Sequence, residues 1–531
     1  MKSNIVKVLA LGILTAAVFA VFRLAAPAGP SGLRDISLDF IRAVSPETLP
    51  AQVSAAGDRI GIPRLTTHMS FLTDPRREGR GLGTRGLDAA ARYLAEQLKA
   101  AGIPPLGDSY FQSVPMREVS PGKSSLRLRT PSGLFTFQAG RNAVLPPIEP
   151  GTLSAPFVFA GYGIREASLG YDDFRGLDVR GKVVVFLDGV PTGAAWQKKE
   201  ILEKYASARP ADRYDTRLAL LEELGARAAV ALEEGLDRRI AEGKEPAFSY
   251  FLAAAGAALP GEPPLARAAI TPELRALAGT GTAGSADLTT LGKVREIQGL
   301  NVMGKLEGAE PALRNEAVII GAHMDHLGMR GGVLYPGADD NASGVAALLE
   351  ISKAIAAGAA RPKRTLLFTF WTGEEEGKFG SGYYIRHPLW PLTATDAYLN
   401  MDMIGHPWTA ADLRALTEGS GLKNARAFLD GLAPEFFAEP GLPESHRDIG
   451  PILARAGRGT GMSLHLDWTD GRSGGSDYRE FARRDVPFIR FFGCYFPQYH
   501  EPGDTLDKLD PGQVRRMARL VLGTAWLLAD R

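Results

Sequence analysis

The chain reads as an α/β protein: a mostly parallel, mixed sheet with helices on both faces, interrupted by a β-rich insertion. Three observations predict this. From residue 298 onward, short apolar runs rich in β-branched residues alternate with stretches of helical periodicity. Most of these runs end in loops rich in Gly, His, Asp and Glu, and open α/β sheets hold their sites at strand ends of that kind. Between residues 120 and 295 the alternation gives way to short strand candidates.

The 531 residues are enough for two or three domains, and a hydrophobic fraction of 45% is that of a globular protein. Lys and Arg (61) nearly balance Asp and Glu (60), a formal net charge of +1. That balance excludes a nucleic-acid footprint and an electrostatic membrane clamp, so function has to come from a site. Residues 1–7 are basic, residues 8–22 are apolar but short for a spanning helix, and small residues follow at Ala25, Ala26 and Ala28. Residues 1–30 therefore read as an export signal, cleaved or kept as an N-terminal membrane anchor, which places the protein in the periplasm or outside the cell. The single Cys494 excludes an intrachain disulfide framework, and its apolar surroundings make it a small core residue.

Folded sequence is expected from about residue 36, after a Pro/Gly-rich linker at 27–33. Residues 86–101 form an amphipathic helix, with Leu87, Ala90, Ala91, Leu94 and Leu98 on one face and Gly102 as its stop. The Gly-rich segment before it, 76–86, lacks the Lys-Ser/Thr ending of a phosphate loop and reads as structural. In the insertion, strands are expected at 134–138, 157–162, 183–187 and 228–232 and a helix near 217–225, while the Ala/Gly/Pro-rich stretch 253–284 reads as loop and linker. Beyond it come strands at 300–306, 317–321, 365–371, 397–402 and 486–492, with helices at 343–357, from about 381, at 424–432 and at 512–528.

The loops after these strands carry the chemistry. Gly321-Ala-His323-Met-Asp325-His326 places a His at or just past a strand end, with a carboxylate two residues on that suits orienting its ring. Gly337-Ala-Asp339-Asp340-Asn341 offers a second carboxylate. Thr372-Gly-Glu374-Glu375-Glu376-Gly puts three mutually repelling carboxylates at one strand terminus, a repulsion that a divalent cation reverses. Asp402 closes an otherwise apolar strand, and a buried lone carboxylate needs a cationic partner. Tyr499-His500 lies in a turn-rich loop after the last strand. A doubly wound sheet brings these loops to one rim, where two His and several carboxylates suit zinc, in a number right for two ions sharing a carboxylate. Glu376 reads as surface charge, and His326, His387, His406, His446 and His465 carry no assignment.

In order, GAHMDHLG, GADDNASGVAALLE, WTGEEEGKFGS, NMDMIG and YHEPGDT resemble the ligand motifs of the co-catalytic dizinc exopeptidases, the family of bacterial leucyl aminopeptidases, aminopeptidase Y and glutamate carboxypeptidase. The likeness spans roughly residues 65–525. It implies one zinc on His323 and Asp402, a second on Glu375 and His500, Asp340 bridging them, Glu374 as general base, and a cis peptide between Asp340 and Asn341. Asp325 would orient His323 through a hydrogen bond, and Tyr499 would donate to the developing oxyanion. The stretch 158–228, with Gly161-Tyr-Gly163, Tyr171-Asp-Asp173 and Gly181-Lys182-Val-Val-Val, resembles a protease-associated domain. That gives a zinc peptidase domain over 36–119 and 296–531 and an inserted domain over 120–295. One departure stands out: Ser476-Asp477-Tyr478 occupies a place where many relatives have Ser-Asp-His.

These readings converge on an exported aminopeptidase acting on peptides. A carboxypeptidase would need a cation for the substrate carboxylate, for which Arg490 is the candidate. Glutaminyl cyclisation is disfavoured by the insertion and the complete ligand set. An inactive binding protein on the same fold is disfavoured because all five ligands are present.

Overall fold

The computed structural model describes residues 40–43, 47–145, 150–206, 213–242, 250–253, 264–278, 282–419, 431–472 and 475–531. The expected export segment, the linker after it and most of the helix expected at 424–432 lie outside these residues. The chain divides into two compact units, Met1–Val114 with Gln298–Arg531, and Pro115–Ile297. Among the described residues no helix is long and apolar enough to cross a membrane.

The larger unit is built on a mixed sheet. Strand Ala317–His323 lies between Thr365–Trp371 and Thr395–Asp402 and is parallel to both. Phe488–Phe492 extends the sheet in parallel beyond Asp402's strand, and Gly292–Leu306 pairs antiparallel with Thr365–Trp371 through residues 302–306. Ala317–His323 and Thr365–Trp371 are buried along their whole length, as central strands covered on both faces must be, which explains their unbroken apolar sequence. Ala317 and Ile319 pack with Leu367, Tyr398, Tyr384 and Phe481, bringing helices Phe379–Arg386 and Tyr478–Ala482 onto one face. The alternating residues Val318 and Ile320 point to the other face, where helices Gly344–Ala356 and Pro511–Ala529 pack. The sheet is close-fitting near the rim: a Cβ on Gly321 would lie 2.7 Å from the Tyr398 hydroxyl and 2.8 Å from Trp371 Nε1, so only glycine fits two residues before His323.

The expected helix at 86–101 is Arg85–Ala100, capped by the Thr84 hydroxyl on Leu87 N–H. Two further helices, Ala51–Asp58 and Ile62–Thr73, precede it.

The second unit holds an eight-stranded mixed sheet. Its middle strands show strict alternation: Phe157, Val183, Val185 and Val230 face one core, and Val158, Val184, Phe186 and Ala229 face the other. Within the stretch 253–284, the described residues 264–278 are more regular than the composition predicts. Leu265–Ala269 is a strand between Ala228–Glu233 and Ala143–Val144, Thr271 caps a helix at Pro272–Leu277, and Ala283 opens another strand. Small residues are no bar to a strand there, because Ala266 and Ala268 point into a core where little space remains.

Candidate metal centre

Strand geometry delivers the ligand candidates. His323 and Asp402 are the last residues of neighbouring parallel strands, and Glu374 and Glu375 follow the end of the strand on the other side. Asp340 sits in a π-helical turn, Ala338–Ser343, that leads into helix Gly344–Ala356. The Asp340–Asn341 peptide is cis, as the resemblance implied. The turn is fixed from several sides. Asp504 accepts the backbone N–H groups of Asp339 and Asp340 at 2.9 and 3.1 Å, and Asn341 bridges Met401 O and Gly344 N. Asp339 accepts from Gly405 N–H and pairs with His406 Nδ1 at 2.6 Å, which gives one unassigned histidine a structural task. His500 and Lys378 both hold left-handed backbone, at φ 57° and 59°, an arrangement that non-glycine residues adopt only where their surroundings dictate it.

Two groups of ligand atoms meet at Asp340. His323 Nε2 lies 3.2 Å from Asp402 Oδ1 and 3.4 Å from Asp340 Oδ1. His500 Nε2 lies 3.1 Å from Asp340 Oδ2 and 3.1 Å from Glu375 Oε2. Two atoms bound to one tetrahedral zinc at about 2.0–2.1 Å are about 3.3 Å apart, so all four separations suit a shared ion. His323, Asp340 and Asp402 are also buried, so uncompensated carboxylates there would be costly.

The imidazoles of the centre are strongly coupled to its carboxylates. Burial opposes a charged His323, but Asp402 and Asp340 hold its pKa well above the usual histidine value. Burial likewise opposes ionisation of Glu375, yet with His500 and His326 beside it the carboxyl is pushed down to about 2. The His500 ring, despite its own burial, is held at about 11 by Glu375 and Asp340.

Glu374 points its Oε1 at Lys378 Nζ, 3.0 Å away. Burial raises its pKa and Lys378 works against that rise. Tyr499 stacks on the His500 ring at 3.9 Å, and burial with the nearby carboxylates of Asp340 and Glu375 raises its pKa strongly.

Three expectations need correcting. Asp325 Oδ1 is 3.9 Å from His323 Nδ1, too far for the expected hydrogen bond, and that nitrogen is buried without a partner. Asp325 instead accepts the backbone N–H groups of Glu374 and Glu375 at 3.2 and 3.3 Å, so it shapes the acidic loop, and burial pushes its own pKa up to about 7. Glu376 is not free surface charge: it pairs with Arg330 at 3.1 Å and is half-buried. Arg490 does not stand ready for a substrate carboxylate, because it is largely buried against Asp467 at 2.9 Å.

Other residues of the centre were missed. Arg80, fully buried in the Gly-rich segment, donates to Met324 O, Leu72 O, Pro336 O and Gly337 O at 2.7–2.9 Å. It thereby joins the loop of His323 to the turn of Asp340. His326, adjacent to Asp325, sets its Nδ1 2.6 Å from Glu375 Oε1 and 3.7 Å from Asp340 Oδ2. The signal for it was present in the His-x-Asp-His spacing of one loop.

Over 238 residues the chain is 26% identical to leupeptin-inactivating enzyme 1 of Streptomyces exfoliatus, covering 43% of this chain and 48% of that one. Over 256 residues it is 27% identical to a probable leucine aminopeptidase of Arthroderma otae, covering 44% and 64%. The chain thus spans about half to under two thirds of the length of these relatives. Among solved structures, an aminopeptidase from Aneurinibacillus sp. strain AM-1 shares the fold with a TM-score of 0.51 and 19% identity, over 89% of this chain and 95% of that one. The sequence profile of peptidase family M28 matches residues 301–525, the segment that carries all five ligand candidates.

Proposed function

We propose that this protein is an exported, zinc-dependent aminopeptidase that removes N-terminal residues from peptides. One observation carries the reading: Asp340 turns one oxygen toward His323 and the other toward His500, so a single carboxylate serves two ligand groups. His323 and Asp402 would hold one zinc, Glu375 and His500 the other, with Asp340 bridging. Bound there, zinc would supply a water of lowered pKa and polarise the scissile carbonyl.

The protein's own groups then divide the remaining work. Glu374 accepts a proton from the attacking water and returns it to the departing amine. Lys378, paired with Glu374, opposes the rise that burial gives that carboxyl's pKa and holds it in place. Asp325 fixes the backbone that carries Glu374 and Glu375. Tyr499 donates its phenol hydrogen to the carbonyl oxygen as it gains negative charge. An aminopeptidase is also what the name of the Arthroderma otae relative and that of the fold neighbour favour. The second unit, which we read as a protease-associated domain, takes no part in the chemistry: both groups of three metal-competent side chains found among the described residues lie in the larger unit.

The test is metal content with hydrolysis of free and N-blocked peptides, on protein without residues 1–30, for the parent chain and Glu374→Gln. Two zincs per chain, activity confined to free N-termini, and a kcat loss of about 10²–10⁴-fold with metal retained in Glu374→Gln are the expected results. Cleavage of N-blocked peptides would turn the reading toward a carboxypeptidase. Protein that zinc can neither load nor activate would overturn it.

A further inference from the structure

We propose that His326 is a positioning residue for the second metal site, holding Glu375 so that only one of its oxygens is offered to the ion. The inference rests on the dizinc reading above. Its basis is which atoms face which. Glu375 Oε2 is the oxygen 3.1 Å from His500 Nε2, whereas Oε1 is the one 2.6 Å from His326 Nδ1. A spacing of 2.6 Å is too short for two atoms bound to the same tetrahedral zinc, which stand about 3.3 Å apart, and it is the length of a strong hydrogen bond to a carboxylate. His326 Nδ1 is also 3.7 Å from Asp340 Oδ2, against 3.1 Å for His500 Nε2. His500 therefore belongs with the ligands, and His326 stands behind Glu375.

The ring is built to stay there. His326 is 2% exposed, and its Nε2 is buried without a partner, which assigns the ring hydrogen to Nδ1, where an acceptor is waiting. Its backbone N–H donates to Arg80 O at 3.2 Å. Gly337, at φ 60°, lies so close that a Cβ there would be 2.4 Å from His326 Cγ. With Oε1 held in this way, Glu375 is set to offer Oε2 alone, and groups that orient metal ligands typically account for 10–100-fold in metal affinity.

The experiment is a competitive titration of the metal-free full chain with zinc against a chromophoric chelator, for the parent, His326→Leu and His326→Asn, with cobalt(II) absorption spectra of each. The parent should take up two zincs. In His326→Leu one of the two should bind 10–100-fold more weakly, and the other within about threefold of the parent. His326→Asn, whose amide N–H can reach the place of Nδ1–H, should recover most of that loss, with a cobalt spectrum like the parent's. Unchanged binding of both zincs in His326→Leu overturns the inference alone. So does an Asn variant that fails to recover and loses a nitrogen signature in its cobalt spectrum, since His326 would then be a ligand itself. A parent chain that binds fewer than two zincs overturns the dizinc reading, and this inference with it.

Discussion

Replacing Arg80 with Met should be among the most damaging changes outside the ligands themselves. The guanidinium is fully buried and is the shared partner of four backbone carbonyls. Methionine keeps most of the stem but supplies no donor, so four acceptors lose their partner where water has little access. At about 1–3 kcal/mol for each unsatisfied buried group, the gross cost is about 4–12 kcal/mol. Part of this is offset, because the charged side chain is itself held at a cost: burial lowers the Arg80 pKa to about 10, against the help of Asp504 and Asp340, which corresponds to roughly 3 kcal/mol against the charged form. The net loss from the middle of the range is about 5 kcal/mol, or a fall in melting temperature of the order of 10 °C for a unit of this size. Because Met324 and Gly337 flank His323 and Asp340 in sequence, zinc affinity should fall as well. Arg80→Lys should not rescue either property, since one ammonium cannot span four carbonyls that a planar guanidinium reaches from three nitrogens. Thermal unfolding of metal-free and zinc-loaded protein, with a zinc titration, checks this. An Arg80→Met variant that melts within about 2 °C of the parent with the same zinc affinity would refute the argument.

Three further outcomes are expected. Tyr499→Phe should lower kcat by about 10²–10³-fold with little change in KM or melting temperature, and an unchanged kcat would remove Tyr499 from the oxyanion site. Zinc must displace protons, since His323 is held above its usual pKa and His500 at about 11 despite burial; affinity should therefore fall as pH drops through the neutral range. Calorimetry in buffers of different ionisation enthalpy should count up to two protons released per chain, and a count of zero would contradict the charge pattern. Lys378→Met removes the cation that opposes the burial-driven rise of the Glu374 pKa, so the acidic limb of the pH profile of kcat/KM should move to higher pH; a limb that stays put would show that Lys378 does not tune the base.

What the sequence made legible, and what it hid, follows from the range of the interactions involved. Strands such as Thr365–Trp371 and Val183–Leu187 are visible because an unbroken apolar run is a local signal, and the ligand candidates are visible because each lies where such a run stops. Arg80 was not visible, because three of its four carbonyl partners lie 244–257 residues away and nothing near it in the chain announces them. Lys378 looks like any surface lysine until a left-handed backbone turns it back onto Glu374. Asp325 illustrates a subtler limit. Its place beside His323 was readable, but both of its oxygens are engaged by the N–H groups of a loop about 50 residues further on, and the imidazole receives neither. The strand Leu265–Ala269 was hidden by composition: alanines read as linker until partners on both edges supply the ladder they cannot advertise.

On the dizinc reading, the charges of the centre bear on how many cations it takes. Asp340, Glu374, Glu375 and Asp402 face one another, with Lys378 beside Glu374 and the buried Arg80 coupled to Asp340 and Glu375, so the carboxylates outnumber the fixed cations. Protonated His323 and His500 offset part of that charge. Metal binding would require neutral imidazoles and so return it, and a negative pocket disfavours any reaction that builds charge on a carbonyl oxygen. Two dications would carry the balance past neutral. A positive excess is what a tetrahedral intermediate needs, and the proposed pair of ions would supply it. Activity should therefore track occupancy of the weaker site, while melting temperature responds to the filling of each site in turn.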